Sequence, residues 1–244
     1  MGLFNRQSAH PRRSILTVVL ISTGLLALSA CKHDEDDAMA TQAMYQVTVY
    51  NLTNGQPLTP LGVVIHGAAY SPWQLGSTAS VGLETLAESG DPTAFLAEAD
   101  ANTAVMASTS SSNGPFGPGA SESVTLSVDH SSLLQLSVAS MLANTNDAFT
   151  GVSHWEIGRL AVGESVSTMS HVFDAGTEAN TESSATMPGP AAGGEGFNAT
   201  RDDLDKVTIH RGVVTADDGL TSSALDESHR WLGYAAKVVV TRMQ

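Results

Sequence analysis

Two short acidic stretches contain the side chains best suited to chemistry. Residues 141–149 include Asp147, and residues 172–178 include Asp174 and Glu178. Their carboxylate oxygens are hard anionic ligands of the kind that calcium prefers. A glycine lies between the two acids of the second stretch and lets the backbone turn sharply enough to aim both side chains at one point.

Convergence of these three acids would be costly in the absence of a cation, because neighbouring carboxylates repel one another and raise each other's pKa. A divalent ion removes that repulsion, and backbone carbonyls and waters would complete a shell of roughly six to eight oxygens. The spacing is not that of an EF-hand. Two interpretations remain open at this point: a calcium site at Asp147, Asp174 and Glu178, or solvated turn carboxylates on a very acidic protein.

The amino-terminal segment predicts export. Residues 1–30 contain three arginines followed by an apolar run at 15–28, which is too short for a stable membrane span. The run ends in Leu-Ser-Ala before Cys31, the single cysteine of the chain. This pattern resembles the lipobox of bacterial lipoproteins, which implies cleavage of a signal peptide (1–30) and lipid attachment to Cys31. The alternative is an ordinary secretory signal peptide.

The residues that follow predict a membrane-tethered location. Lys32 directly after the cysteine resembles the sorting pattern of the outer membrane in Gram-negative bacteria, so the expected location is the bacterial cell envelope. Residues 31–43 are acidic and nearly free of large apolar side chains, and such a composition predicts a flexible tether. With one cysteine the protein can form no internal disulfide, so its stability must come from its core and from any bound ion.

The charge balance excludes some partners. Without the three arginines of residues 1–30, eight basic residues stand against 25 acidic ones, a net charge of −17. Phosphate binding requires clustered lysines and arginines, so nucleic acid is excluded as a partner. The same balance disfavours anionic lipid headgroups and sulfated glycans.

The patterning of the mature chain predicts one all-β domain over residues 44–244. Alternating or β-branched runs predict strands at 45–50, 61–66, 123–128, 133–142, 157–162, 165–172, 207–210 and 234–242. One helical region is expected at 80–100, with Asp91-Pro92 as the start of a second helix. Residues 108–119 and 181–199, rich in small residues, are expected to be irregular. Short strands separated by turns favour an antiparallel β-sandwich with a short helical excursion.

Several of these stretches together resemble the spondin N-terminal domain family in its bacterial, stand-alone form. They are residues 45–57, 79–91, 136–149, 173–178 and 207–210. The most specific parts are Asn-Thr-Asn-Asp at 144–147 and Asp-Ala-Gly-Thr-Glu at 174–178. The resemblance implies a β-sandwich with calcium bound by loops at one end, and it places ligands at Asp147, Asp174 and Glu178. Animal members commonly have Asp at the position of Glu178, whose side chain is one methylene longer.

Catalysis is not expected, although the sequence leaves a Ser-His-Asp triad open. The mature histidines are scattered and form no zinc-binding pair of the His-Glu-x-x-His type, and a Gly-x-Ser-x-Gly nucleophile elbow is absent. His66 and His210 end apolar runs and are interpreted as structural. Trp73, Trp155 and Trp231 could form a sugar-stacking face but are more typical of core residues.

Two functions of different class follow from the sequence. The favoured one is a calcium-binding lipoprotein of the cell envelope, held by its lipid anchor, that acts as a binding or adhesion module for an extracellular protein or glycan. The alternative is a secreted hydrolase or carbohydrate-binding domain.

Overall fold

The computed structural model describes residues 41–244, so the predictions for residues 1–30 and for Cys31 lie outside the described residues. This part of the chain contains nine strands, two α-helices and two 3₁₀ turns. The strands are β1 (Gln42–Asn51), β2 (Gly62–His66), β3 (Val105–Ser110), β4 (Ser121–Asp129), β5 (Gln135–Met141), β6 (Ala148–Glu156), β7 (Ser165–Asp174), β8 (Thr208–Ile209) and β9 (Tyr234–Arg242). The helices are α1 (Val81–Ser89) and α2 (Thr93–Asp100), and the 3₁₀ turns span Ala216–Asp218 and Glu227–His229. None of the described helices has the length and apolarity needed to cross a membrane.

The strands form one antiparallel path in the order β3-β2-β5-β6-β7-β9-β1-β4, and β8 pairs with β7. Strand β7 joins the two halves: residues 165–171 pair with β9, and residues 172–174 pair with β6. The terminal strands of the path, β3 and β4, contact each other without joining the ladder, so the sheet is nearly closed into a barrel. The prediction of an all-β, antiparallel fold with a short helical excursion is therefore confirmed.

The main core lies between the two halves of this sheet. In β1, Tyr45, Val47 and Val49 are buried while the residues between them face outward, as the alternation in the sequence predicts. The neighbouring strands β4 and β9 bury alternate residues in the same way. Full burial of an aliphatic or aromatic side chain contributes about 1.5–3 kcal/mol relative to exposure.

The two helices cover the outer face of β2, β5 and β6 and bury a second apolar cluster. Leu83, Leu86 and Phe95 from the helices pack there with Phe149 from β6. The hydroxyl of Ser80 caps α1 by accepting a hydrogen bond from the backbone N–H of Leu83 (3.1 Å). The predicted helical region is thus confirmed as two helices, and together they hold the β5–β6 end of the sheet in place.

The predicted strand at residues 157–162 is wrong, because β6 ends at Glu156 and the following residues form a turn. The sequence misleads at this point because Ile157 and Leu160 are buried as turn residues under the core rather than as a strand. In β6 the alternation is broken by a bulge, where His154 has a φ of 56°. Strand β3 also overlaps the loop predicted at 108–119, because its small polar residues carry no strand signal.

Candidate metal centre

The two acidic stretches meet at one end of the sheet. Strand β5 ends at Met141, a six-residue loop (142–147) follows, and β6 then begins at Ala148. Ala148 is paired with Asp174 at the end of β7, so residue 147 lies next to residue 175. The backbone N–H of Ala175 donates to the carbonyl of Asp147 (3.2 Å). Strand pairing alone therefore brings together two stretches that are distant in the sequence.

Hydrogen bonds to Gln56 and to the segment 186–191 fix the loop 142–147, which is buried along its whole length. Gln56 pairs with the backbone of Asn144: its Oε1 accepts from the N–H and its Nε2 donates to the carbonyl, each at 3.1 Å. The Oδ1 of Asn144 accepts from the N–H of Ala191 (2.9 Å), and the Nδ2 of Asn146 donates to the hydroxyl of Thr186 (2.8 Å). The polar groups of the loop are therefore held by specific hydrogen bonds.

The carboxylate of Asp147 links the two acidic stretches directly. Its Oδ2 accepts from the backbone N–H of Thr177 (2.8 Å), the N–H of Glu178 (3.2 Å) and the hydroxyl of Thr177 (3.3 Å). Its Oδ1 is buried and has no hydrogen-bond partner in the described part of the chain. One oxygen thus holds the second stretch in position, and the other remains free to bind a ligand.

The second stretch turns tightly around Gly176. This residue has a φ of 71°, in the left-handed region that glycine adopts without steric cost, as the sequence predicted. Its N–H donates to Oδ1 of Asp174 (2.8 Å), and the Nδ2 of Asn180 donates to Oδ2 of the same carboxylate (2.8 Å). Two residues further on, Glu178 has a buried Oε2 without a partner among the described residues.

All three predicted ligands are withdrawn from water: Asp147, Asp174 and Glu178 are 0%, 8% and 5% exposed. The interpretation as solvated turn carboxylates is therefore wrong. Burial, together with the neighbouring Asp174 carboxylate, raises the pKa of Asp147 to about 7. Burial also raises the pKa of Glu178 to about 8, and the carboxylates of Glu88, Asp147 and Asp202 add to that rise.

Two further acids belong to this cluster and were missed in the sequence. Glu88, on α1, accepts from the N–H of Asn198 (2.8 Å) through one oxygen, and its Oε1 is buried without a described partner. It lies five residues after Leu83 and two after Leu86, away from the face that these leucines define, so the helical periodicity gives no signal for its burial. Glu182 has the same arrangement, with Oε1 accepting from Val214 N–H (3.0 Å) and Oε2 unpartnered. It lies in an irregular loop that gives no such signal.

These features fit a bound cation. Asp147 and Glu178 each present a buried oxygen without a described partner, and such atoms cost about 1–3 kcal/mol each when left unsatisfied, more when charged. In residues 41–244 no three acidic, histidine or cysteine side chains are already gathered at metal-ligand distances. A cation at this position would therefore have to draw the carboxylates inward by side-chain rotation.

The residues considered for catalysis occupy structural positions. His66 and Ser137 form a Ser–His pair (2.7 Å), but both are completely buried and lie beyond the reach of a substrate. Trp73 packs in the outer cluster against Phe149, with ring centroids 5.2 Å apart. Trp155 and Trp231 pack against the main core. Trp73 and Trp155 line one cavity but Trp231 lies outside it, so the three tryptophans do not form a common face.

Comparison with known protein families gives a match. The model of the spondin N-terminal domain (Spondin_N) matches residues 51–192, more than half of the chain. This range begins at the end of β1 and includes both acidic stretches and the loops that hold them. No curated protein is significantly similar to the chain.

Replacement of Gly176 by Ala tests how tightly the second stretch is packed. A Cβ at this position would lie 2.3 Å from the carbonyl oxygen of Lys206, in addition to the strain of a left-handed φ. We expect the left-handed conformation to cost roughly 1–2 kcal/mol and the overlap a further 1–3 kcal/mol in the free energy of unfolding. Urea denaturation in chelator measures the sum.

Gly163→Ala is the matched control, because Gly163 also has a left-handed φ (84°) but nothing within 4 Å of the added Cβ. We expect this variant to lose only the free energy of unfolding that the left-handed φ costs an alanine. Equal losses for Gly163→Ala and Gly176→Ala would show that the second stretch is not held against Lys206.

Proposed function

Because the chain belongs to the spondin N-terminal domain family, we propose that it is a calcium-stabilised binding or adhesion module held at the bacterial cell envelope by a lipid on Cys31. The family is one of non-enzymatic binding domains, and membership indicates an extracellular binding or adhesion-like module. The calcium ion, the lipid anchor and the location at the outer membrane are the parts that we propose.

The observation that carries the calcium proposal is the burial of acids with unpartnered oxygens at the point where the two acidic stretches meet. Asp147, Asp174 and Glu178 would hold the ion, and two of them, Asp147 and Glu178, have a buried oxygen without a described partner. Calcium tolerates irregular sets of six to eight oxygens, whereas magnesium requires near-ideal octahedral geometry and dehydrates reluctantly. A site assembled from loop carboxylates and carbonyls therefore favours calcium.

The role proposed for the ion is structural. It would neutralise acids that otherwise repel one another inside the fold, and so lock together the loop 142–147 and the turn at Gly176. The single cysteine rules out an internal disulfide, so ion binding is a strong available means of fixing this end of the sheet. Locking these two segments would make the surface at this end of the sheet rigid. We place the binding function on that surface.

Calcium should raise the melting temperature of chelator-treated protein. At a free ion concentration one hundred times Kd, binding to the folded state alone stabilises it by about 2.7 kcal/mol, or about 5–10 °C for a domain of this size. Glu178→Gln removes one charge without changing the side-chain shape, so it should reduce this shift and should stabilise the ion-free protein at pH 8. Differential scanning calorimetry with EDTA, calcium or magnesium measures both effects.

Glu156→Gln, at the exposed end of β6, is the matched control and should leave the calcium response unchanged. If the wild type does not respond to calcium, the calcium proposal is wrong. If Glu178→Gln responds as fully as the wild type, calcium binds elsewhere and the assignment of the ligands is wrong.

Cys31→Ser tests the anchor. A lipoprotein signal peptide is cleaved only after lipid is attached to the cysteine sulfur, so the variant should accumulate as an uncleaved precursor or lose its lipid. Membrane fractionation in a Gram-negative host, with metabolic labelling by a fatty-acid analogue, distinguishes these outcomes. A variant that fractionates, migrates and labels like the wild type would rule out lipidation at Cys31.

A further inference from the structure

A second acidic feature lies beside the candidate calcium centre and shares only Asp174 with the predicted ligands. It is a cavity of about 370 Å³ near the end of β7, lined by Asp174, Glu182 and Asp203. The loops around β8 form its remaining walls. Three acidic side chains around one cavity create a strongly negative potential in a site that is partly shielded from water.

Glu182 is the most deeply buried acid in this cavity. It is 1% exposed, and its Oε2 has no hydrogen-bond partner in the described part of the chain. Its backbone is held on both sides, because its N–H donates to Oδ1 of Asn146 (3.3 Å) and its carbonyl accepts from Ala224 (2.9 Å). These contacts keep it at a φ of 55°, an uncommon conformation for a residue other than glycine. The fold thus fixes a buried, unsatisfied acceptor in the cavity wall.

The histidine in the wall does not supply a compensating positive charge. The Nδ1 of His210 accepts a hydrogen bond from the N–H of Gly212 (3.0 Å), so this nitrogen carries no proton. The Nε2 therefore carries the single ring proton and donates to Oδ1 of Asn180 (3.1 Å). The Nδ2 of Asn180 in turn donates to the carboxylate of Asp174. His210 is neutral in this arrangement, and the cavity keeps its negative charge.

Other parts of the wall carry apolar side chains and one cation. Leu204, Ile209 and Val214 line the cavity and are exposed to solvent. Arg211 also lines it, but its side chain is exposed and forms no ion pair with any described residue. A ligand that enters would therefore meet apolar surface along the walls and carboxylates at the acidic part.

We propose that this cavity binds the side chain of a lysine presented by a partner protein. The four-carbon stem of lysine would lie along Leu204, Ile209 and Val214, and its ammonium group would donate to Glu182, with Asp174 and Asp203 supplying further negative charge. Such capture deepens the proposed binding function and rests on it, because it names the chemistry of the partner.

A bare metal ion fits this cavity less well. The space of about 370 Å³ is much larger than one ion. Hydrogen bonds from an ammonium group span about 2.7–3.2 Å. The alkyl stem of lysine would fill the space that a single ion would leave empty. An arginine would present a planar fork suited to two parallel bonds, whereas Glu182 offers a single free oxygen.

Titration with a blocked lysine, Nα-acetyl-lysine N-methylamide, tests the proposal by ¹H–¹⁵N correlation NMR of the calcium-loaded protein. We expect saturable shifts in the amides of Ile209, Gly212 and Val214. Nα-acetyl-norleucine N-methylamide has the same stem without the charge and should produce no saturable shifts. No saturation with the lysine probe, or equal binding of both probes, would overturn the proposal.

Two variants with opposite expected effects localise the binding. Glu182→Gln should weaken lysine binding about tenfold, the expected loss of one charge-assisted hydrogen bond. Arg211→Gln removes a like charge at an exposed position and should strengthen binding about two- to threefold. Glu156→Gln is the control for a general change in net charge. If Arg211→Gln weakens binding, or if Glu156→Gln matches the effect of Glu182→Gln, the proposal is wrong.

Repeating the titration in EDTA separates this site from the calcium centre. Because Asp174 is shared, calcium is expected to weaken lysine binding by a limited factor that saturates with calcium concentration. Displacement that grows in proportion to calcium would mean that the ion occupies the cavity, which would overturn the lysine proposal. If the protein shows the calcium-dependent melting shift but does not bind lysine, this inference alone is refuted. If it binds lysine but shows no calcium-dependent melting shift, the calcium centre alone is refuted.

Discussion

The carboxylate of Asp147 is the constraint on which this end of the structure depends. One buried oxygen accepts hydrogen bonds from the backbone of Thr177 and Glu178, and so joins the loop after β5 to the turn after β7. This arrangement places an acid inside the protein next to other acids, where its ionisation is costly. Its hydrogen bonds position the backbone of both loops, and they offset part of that cost. The second oxygen of Asp147 is left without a partner, which makes a cation the natural complement of the site.

The surroundings of Asp147 indicate that the protein is built to hold acids close together. Gln56 pairs with the backbone of Asn144 in the loop after β5, and α1 brings Glu88 to the same region. Hydrogen bonds from backbone N–H groups stabilise the ionised forms in part, but Asp147, Glu178, Glu88 and Glu182 each keep one buried oxygen without a described partner. Under the calcium proposal, the cluster couples the stability of the domain, which has no internal disulfide, to the supply of cations.

Much of this organisation can be predicted from the sequence, because its signals are local. Alternation in β1, β4 and β9, the cap at Ser80 and the sharp turn at Gly176 each depend on residues near one another in the chain. The bulge at His154 and the position of β6 could not be predicted, since they depend on packing between distant segments. For the same reason Glu182 was missed: its burial results from contacts with Asn146, Val214 and Ala224, which are far away in the sequence.

The central claim is that buried carboxylates at the junction of the two acidic loops require a cation. The most direct test is the free energy of unfolding as a function of pH, measured from pH 4 to pH 8.5 in EDTA and in excess calcium. The pKa values of Asp147 and Glu178 are raised in the folded state to about 7 and about 8, so the folded protein holds protons that the unfolded chain releases. The ion-free protein should therefore lose stability as pH rises above about 4, up to about pH 8. Calcium competes with those protons, so the stabilisation that it adds should grow over the same range. A difference between the two curves that does not change with pH would contradict the account.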